Sequence, residues 1–254
     1  MINKLQPSSQ PPWAIAHRGF SRNFPENTWP AFEAALAEPI RAIELDIQFT
    51  ADGVAVIFHD RTLKRLGGGS KSVADLSLEE LRHFDFGAWF SPAFRGQAVP
   101  LLERVLERLG PRIPLLLEFK SYGRNKRSLF VQMAELVAMI RRQGLQHRCA
   151  ILCFDLALLR HGYELDPSLA FVWNQDVPRF FAREEFLFAY SVRISRLNRA
   201  FVARAHAAGK PVLTFTCNDQ ALLRHALACG VDAVMSDNPR WLAEALQNTA
   251  RKST

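Results

Sequence analysis

The chain of 254 residues has few cysteines and no long apolar run, and both shortages limit what it can be. No apolar run reaches the ~18 residues needed to cross a bilayer, and the first residues lack the apolar segment of a signal peptide. We expect a soluble, cytoplasmic protein with no stable membrane insertion. The four cysteines form no C-x-x-C pair and show no zinc-ligand spacing, so we expect buried free thiols: Cys149, Cys153, Cys217 and Cys229.

Basic residues outnumber acidic ones, 32 to 25, which gives a formal net charge of +7. This balance favours anionic ligands such as phosphate esters, nucleic acid or an anionic membrane surface. A basic surface that only maintains solubility explains the charge equally well. Nucleic acid is the weakest of these candidates, because no basic stripe interleaved with aromatic residues is present. We therefore predict no nucleic-acid partner.

Short apolar runs alternate with helix-like segments, a pattern typical of parallel βα units. If residues 53–60 are an accessory to the second strand, eight units remain, which predicts a (β/α)₈ TIM barrel. An open doubly wound sheet is the alternative, but no G-x-G-x-x-G follows any strand. The predicted strands are 13–19, 42–50, 53–60, 114–119, 149–154, 169–174, 190–195, 211–216 and 232–236. The predicted helices are 28–38, 101–109, 128–143, 156–163, 179–187, 199–208, 219–229 and 239–248.

Two segments depart from this alternation. Residues 1–12 are polar and proline-rich, and we predict a flexible N-terminal segment there, with the barrel spanning 13–248. Residues 61–99 contain three consecutive glycines and a capping-box pattern that starts at Ser77. A long excursion of this kind is usually functional, so we predict a small insertion that caps the C-terminal mouth of the barrel. A surface elaboration without function is the alternative.

Two carboxylates stand in the middle of an apolar strand, in the sequence AIELDIQF. Glu44 and Asp46 are two residues apart and so share one side of the strand. Buried together they would repel each other unless a cation intervenes, and Mg²⁺ and Ca²⁺ prefer oxygen ligands. Glu118 at the end of another strand could supply a third carboxylate. The alternative is that each acid pairs with a base, Glu118 with Lys120 and Glu44 or Asp46 with Arg41.

Two histidines end predicted strands, His17 in the first and His59 in the accessory run. Side chains at the C-terminal ends of barrel strands converge on one site. Two histidines facing each other across a metal can serve as general acid and general base. Arg18 and Lys120 add positive charge suited to a phosphate oxygen. The five other histidines receive no role.

An ordered set of short motifs extends from about residue 13 to residue 242. They are His17-Arg18-Gly19, Pro25-Glu26-Asn27-Thr28, Glu44-Leu45-Asp46, Asp52-Gly53, His59-Asp60, Thr62-Leu63-Lys64-Arg65, Phe84-Asp85-Phe86-Gly87-Ala88-Trp89-Phe90, Val99-Pro100-Leu101-Leu102-Glu103, Glu118-Phe119-Lys120, Gly230-Val231-Asp232 and Ser236-Asp237. This set resembles the glycerophosphodiester phosphodiesterase family, and it is far more specific than any single motif.

The resemblance implies a TIM barrel with a small insertion, and a phosphoric diester hydrolase that cleaves glycerophosphodiesters to glycerol 3-phosphate and an alcohol. In such enzymes the neighbouring glycerol hydroxyl can attack first and give a cyclic phosphate that water then opens. The resemblance implies one divalent cation, Mg²⁺ or Ca²⁺. Its implied site residues are the metal ligands Glu44, Asp46 and Glu118, the catalytic residues His17 and His59, and the phosphate-binding residues Arg18 and Lys120.

Aromatic residues bear on the substrate. Phe215 stands where the family commonly has a tryptophan that would line the mouth, and we predict that it contacts substrate. Nineteen phenylalanines could form an apolar rim for a lysophospholipid or serve ordinary core packing. A lysophospholipase D on the same barrel and a non-catalytic phospholipid-binding barrel therefore remain alternatives. The phenylalanines near strand ends or in the insertion are Phe20, Phe24, Phe86, Phe90, Phe94, Phe154 and Phe215.

Overall fold

Strands and helices alternate along the protein, whose computed structural model describes residues 2–8, 11–122, 125–179 and 184–252. The strands are β1 (Trp13–His17), β2 (Ala42–Phe49), β3 (Ala55–Ile57), β4 (Leu115–Phe119), β5 (Cys149–Cys153), β6 (Ala170–Gln175), β7 (Ala189–Arg193), β8 (Val212–Phe215) and β9 (Ala233–Ser236). The helices are α1 (Trp29–Leu36), α2 (Leu78–Leu81), α3 (Leu102–Leu109), α4 (Lys126–Arg142), α5 (Leu156–Leu165), α6 (Arg199–Ala207), α7 (Gln220–Cys229) and α8 (Pro239–Lys252).

The parallel strands close into a barrel. The sheet runs β1-β9-β8-β7-β6-β5-β4-β2, and β1 also pairs with β2, which joins the two ends. The short β3 pairs antiparallel with β2 and lies outside the ring. The predicted (β/α)₈ TIM barrel and its accessory strand are therefore confirmed.

Alternation along the strands divides apolar side chains between two cores. Ala14, Ile43 and Leu45 belong to a large core with the surrounding helices. Ile15 and Ala42 belong to a smaller core with residues from the other strands, inside the barrel. Residues two apart share a side, so the side chains that follow Ile15 and Ala42 at intervals of two also point into the barrel. The register of each strand thereby decides which polar residues reach its interior.

The N-terminal residues contact the lower end of the barrel. Ile2 and Leu5 are buried in the interior core beside Ile15 and Ala42 near the starts of β1 and β2. The Ile2 backbone N–H also donates to the carbonyl of His147, just before β5 (3.1 Å). The sequence predicts flexibility over residues 1–12, yet these two apolar side chains are packed. Flexibility in the rest of that segment stays a prediction.

The connection from β6 to β7 differs from expectation. The predicted helix over 179–187 is wrong at residues 184–187, which form a turn, and residues 180–183 lie outside the described residues. The other predicted barrel helices correspond to α1 and α3–α8.

The segment after β3 forms a core of its own. Phe58, Leu63, Leu81 and Phe86 are among the buried side chains that pack together there. The predicted capping box is present at the start of α2, where Ser77 and Glu80 exchange hydrogen bonds. The limits of the predicted insertion, 61–99, stay a prediction. Among the described residues, no helix is both long and apolar enough to cross a membrane.

Gly19, in the loop after β1, allows this loop to approach α1. Its φ is +83°, and a Cβ there would lie 2.7 Å from the backbone carbonyl of Ala31. Gly53 has a similar φ of +82°, but a Cβ there would have no atom within 4 Å.

We expect Gly53→Ala to cost about 1–2 kcal/mol of unfolding free energy through the left-handed backbone alone. Gly19→Ala should cost about 1–3 kcal/mol more, because it also overlaps Ala31.

Urea denaturation of the two variants and the wild type measures this difference. Equal losses for the two substitutions would show that the contact with α1 does not restrict residue 19.

Candidate active site

Three carboxylates project into the upper half of the barrel from neighbouring strands. Glu44 and Asp46 follow Ala42 at intervals of two in β2, and Glu118 follows Leu116 in the same way in β4. Asp46 and Glu118 are register partners. Each of the three residues offers an oxygen, and these oxygens lie within 4.8 Å of one another. The predicted metal ligands are therefore together.

Two cationic side chains and an amide compensate the negative charge of Asp46, which is fully buried. Its carboxylate lies 2.8 Å from Lys120 Nζ and 3.1 Å from Arg18 Nε, and Asn27 Nδ2 donates to it at 2.7 Å. Burial raises the pKa of Asp46, but the charges of Lys120 and Arg18 outweigh burial and hold that pKa well below its usual range. Asp46 is therefore ionised.

Glu44 is also buried, but its carboxylate has far fewer polar partners than that of Asp46. The backbone N–H of Arg18 donates to its Oε2 at 3.2 Å. The other oxygen, Oε1, is buried and has no hydrogen-bond partner among the described residues. Burial and the neighbouring charges of Asp46 and Glu118 raise the pKa of Glu44 well above its ordinary value. An orphaned carboxylate oxygen beside two further carboxylates suits a hard divalent cation.

Ion pairs account for part of this acidic cluster. Lys120 pairs with Glu118 as well as with Asp46, and these charges hold its pKa above the ordinary value although burial lowers it. The arginine that pairs with Asp46 is Arg18, and Arg18 also binds Glu26. The cluster thus combines acid–base pairs with a remaining negative charge, because Lys120 and Arg18 cannot neutralise all of the carboxylates.

His17 is held by a carboxylate from the opposite end of the chain. Its Nδ1 donates to Asp237 Oδ1 at 2.6 Å, which leaves Nε2 as the acceptor, 3.9 Å from Glu44 Oε2. Asp237 also accepts from Ser21 Oγ (3.2 Å) and Asn218 Nδ2 (2.6 Å). Burial raises the pKa of Asp237, but the hydrogen bond and charge of His17 outweigh it and hold the pKa at about 2. The ring of His17 is therefore oriented by an ionised carboxylate.

His59 has a similar partner beside it in the sequence. Its Nδ1 donates to Asp60 Oδ1 at 2.9 Å. Burial raises the pKa of Asp60, but the hydrogen bond from His59 and the charge of Arg65 outweigh burial and hold that pKa below its ordinary value. Both predicted catalytic histidines thus keep Nε2 free of the proton in their neutral form.

A second group of possible metal ligands consists of Glu26, His59 and Asp60, whose ligand atoms also lie within 4.8 Å of one another. Arginines already occupy it. Arg18 and Arg65 both bind Glu26, and Arg65 also pairs with Asp60. Every carboxylate oxygen of this group faces a guanidinium or an imidazole, and none is without a partner as Glu44 Oε1 is, so this group does not fit a metal.

A cavity of about 510 Å³ opens at this end of the barrel. Phe215 lies at its wall, with Phe154 edge-on at 6.2 Å and Arg193 5.6 Å from the Phe215 ring. Six predicted site residues line it: His17, Arg18, His59, Glu118, Lys120 and Phe215. Glu44 and Asp46 do not line it, but both contact Arg18.

The phenylalanines divide between the two predicted roles. Phe20 and Phe86 are buried, and Phe24 and Phe90 both pack against Phe94. Phe20 and Phe86 serve core packing, and Phe24, Phe90 and Phe94 form a half-buried aromatic group. Phe154, which is 41% exposed, and Phe215 lie at the cavity, so an apolar rim is limited to a small part of the mouth.

Several polar residues around the cavity were given no role from the sequence. Asp237 and Asn218 support His17, while Asp60 supports His59. Asp60 and Asp237 belong to the motifs that carry the family resemblance, so the sequence does mark these two residues. Tyr122, at the cavity wall, lies outside those motifs, and no sequence pattern marks it.

Comparison with known proteins gives consistent results. Residues 17–240 match the Glycerophosphoryl diester phosphodiesterase family. YhdW of Bacillus subtilis (strain 168) is 32% identical over 91% of this chain and 96% of its own length. The glycerophosphodiester phosphodiesterase of Caldanaerobacter subterraneus subsp. tengcongensis is 31% identical over 94% of this chain and 97% of its own. A phosphodiesterase of Oleispira antarctica, solved with the product sn-glycerol-3-phosphate, superposes with a TM-score of 0.83 at 28% identity, covering 93% of this chain and 97% of its own.

The orphaned oxygen of Glu44 leads to a prediction about stability. When a carboxyl has a higher pKa in the folded state than in the unfolded state, the protein becomes less stable as pH rises above the unfolded pKa of about 4.3. In EDTA at neutral pH we therefore expect Glu44→Gln to raise the melting temperature. Mg²⁺ or Ca²⁺ at about 100 times its dissociation constant should raise the wild-type melting temperature by about 5–10 °C and leave the variant unchanged.

Differential scanning fluorimetry with EDTA and with each metal makes this measurement. Glu79→Gln, on an exposed face of α2, is the matched control and should respond to metal as the wild type does. A metal response in Glu44→Gln equal to that of the wild type would exclude Glu44 as a ligand.

Proposed function

The chain belongs to the glycerophosphoryl diester phosphodiesterase family, and on that premise we propose that it hydrolyses glycerophosphodiesters to glycerol 3-phosphate and an alcohol. It is a phosphoric diester hydrolase. The observation that carries the substrate proposal is the convergence of His17 and His59 with an undercompensated carboxylate cluster at one cavity. The product-bound relative from Oleispira antarctica supports glycerol 3-phosphate as the product.

Glu44, Asp46 and Glu118 are the residues that would hold one divalent cation, Mg²⁺ or Ca²⁺. Such an ion, when bound, supplies Lewis-acid polarisation of a phosphoryl oxygen. Side chains of the protein also reduce the repulsion among these acids. Lys120 and Arg18 neutralise Asp46 and Glu118 in part, and Asn27 holds the Asp46 carboxylate in place. The cluster is therefore preorganised for a positive ion.

The histidines carry the proton transfers in this proposal. One accepts the proton of the attacking hydroxyl, and the other donates a proton to the leaving alcohol oxygen. Asp237 and Asp60 fix the ring orientation of His17 and His59 through Nδ1, so that Nε2 is the atom that exchanges a proton. Preset orientation removes part of the entropic cost of the transition state.

Arg18 and Lys120 supply the positive charge for the phosphate. Both line the cavity, and both are held in place by carboxylates that leave further N–H groups available. Burial lowers the pKa of Arg18, but the charges of Asp46 and Glu26 outweigh it, so the guanidinium stays charged. A charged donor pair at the wall of the cavity suits the non-bridging oxygens of a phosphodiester.

A lysophospholipase D activity on the same site is a second candidate. Phe154 is 41% exposed and lies at the cavity, so apolar surface is available there to an acyl chain. A non-catalytic phospholipid-binding barrel is less consistent with the site. Binding alone does not require two histidines with oriented rings.

We expect hydrolysis of glycerophosphocholine to glycerol 3-phosphate, lost in EDTA and restored by Mg²⁺ or Ca²⁺. His17→Ala and His59→Ala should each lower kcat by about 10³-fold, because each removes a general acid or base. A coupled assay for glycerol 3-phosphate measures this, and circular dichroism checks that the variants are folded.

His83→Ala is the matched control, since His83 is exposed on the insertion. Wild-type rates in either active-site variant would contradict the assignment of the histidines. Faster turnover of lysophosphatidylcholine than of glycerophosphocholine would favour the lysophospholipase D.

A further inference from the structure

The segment after β3 brings an arginine to the edge of the active site. Arg65 Nη2 donates to Glu26 Oε1 at 2.8 Å, and its Nε lies 2.9 Å from Asp60 Oδ2. The Arg65 side chain is 25% exposed. One guanidinium thus joins a carboxylate of the β1–α1 loop to a carboxylate that follows β3.

Each of these two carboxylates holds one of the proposed functional groups. Glu26 accepts from Arg18 Nη1 with both of its oxygens, at 3.2 Å each. Asp60 accepts from His59 Nδ1. The contacts form a continuous chain from Arg18 through Glu26, Arg65 and Asp60 to His59.

Arg65 also removes a repulsion. Ligand atoms of Glu26, Asp60 and His59 lie within 4.8 Å of one another, so two carboxylates would face each other without a cation between them. A divalent metal would not replace Arg65, because Arg18 already donates to both oxygens of Glu26. A planar guanidinium can serve both carboxylates at once, since Nη2 of Arg65 donates to Glu26 while its Nε faces Asp60 in an ion pair.

An aromatic ring fixes the position of Arg65. Its guanidinium carbon lies 4.0 Å from the centroid of the Trp89 ring, a cation–π arrangement. The Trp89 indole N–H in turn donates to the carbonyl of Phe86 (2.9 Å), which is buried in the core of the same segment. The position of Arg65 therefore depends on the fold of the segment that carries it.

We infer that Arg65 is a positioning residue, which orients His59 through Asp60 and Arg18 through Glu26. The inference rests on the proposed function, in which His59 transfers a proton and Arg18 contacts phosphate. It gives the segment after β3 a role in the reaction although Arg65 itself does not touch the reacting atoms.

The kinetic test compares Arg65→Ala, Arg65→Lys and the wild type on glycerophosphocholine with saturating metal. We expect Arg65→Ala to lower kcat by about 10²-fold, the size of effect that a misplaced catalytic group produces. Arg65→Lys should recover only part of the loss, because an ammonium lacks the two-sided geometry. Added guanidinium should raise the kcat of Arg65→Ala at least tenfold and leave the wild type unaffected.

Arg82→Ala is the matched control, because Arg82 lies in the same segment in an exposed pair with Glu79. It should keep wild-type kcat. Wild-type kcat in Arg65→Ala, or a loss that guanidinium does not restore in a folded protein, would overturn the inference.

A second measurement does not require activity. Two-dimensional ¹H–¹⁵N spectra of the histidine rings at about pH 8, above the ordinary histidine pKa near 6.5, report which nitrogen carries the proton. In the wild type we expect the His59 signal, assigned with His59→Gln, to show the proton on Nδ1. In Arg65→Ala that signal should change while that of His17 stays.

The two measurements separate the inference from the function on which it rests. An inactive wild type with a changed His59 signal in Arg65→Ala would refute the proposed function and support the positioning. An unchanged His59 signal would refute the positioning whatever the activity.

Discussion

The structure of this site depends on how the charges of buried carboxylates are balanced. Glu44, Asp46 and Glu118 lie inside a barrel whose lower half is filled with apolar side chains. Unpaired, such charges are costly in a medium of low dielectric constant. Two cations, Arg18 and Lys120, cover part of the charge, and the orphaned oxygen of Glu44 marks where the balance is incomplete. The residual negative charge is what a divalent cation would neutralise.

The barrel makes this arrangement stable by confining it to one end. Along β2 the inward positions change from Ala42 to Glu44 and Asp46, so apolar packing below holds the strands while acids gather above. The loop after β1 then returns towards these acids. Arg18 and Asn27 both adopt left-handed backbone conformations, with φ of 58° and 57°, and both donate to this acidic cluster. Strained backbone at these two residues accompanies their role in charge compensation.

Residues that share a strand side could be predicted from the sequence, because a period of two fixes their direction. That argument places Glu44 beside Asp46 and His17 at the end of β1. It cannot find Asp237, which lies 220 residues from its partner His17 and reaches it only when the barrel closes. The burial of Ile2 and Leu5 was missed for the same reason, since proline-rich composition describes the local chain and not the barrel opening that accepts two apolar side chains.

The two histidines are oriented by different parts of the fold. Asp237, which holds His17, is supported by Ser21 and Asn218 in loops of the barrel itself. Asp60, which holds His59, is supported by Arg65 from the segment after β3. A change in the packing of that segment would therefore move His59 relative to the three carboxylates and leave His17 in place. If both histidines transfer protons, as proposed, this small segment influences turnover without contributing a group that contacts substrate.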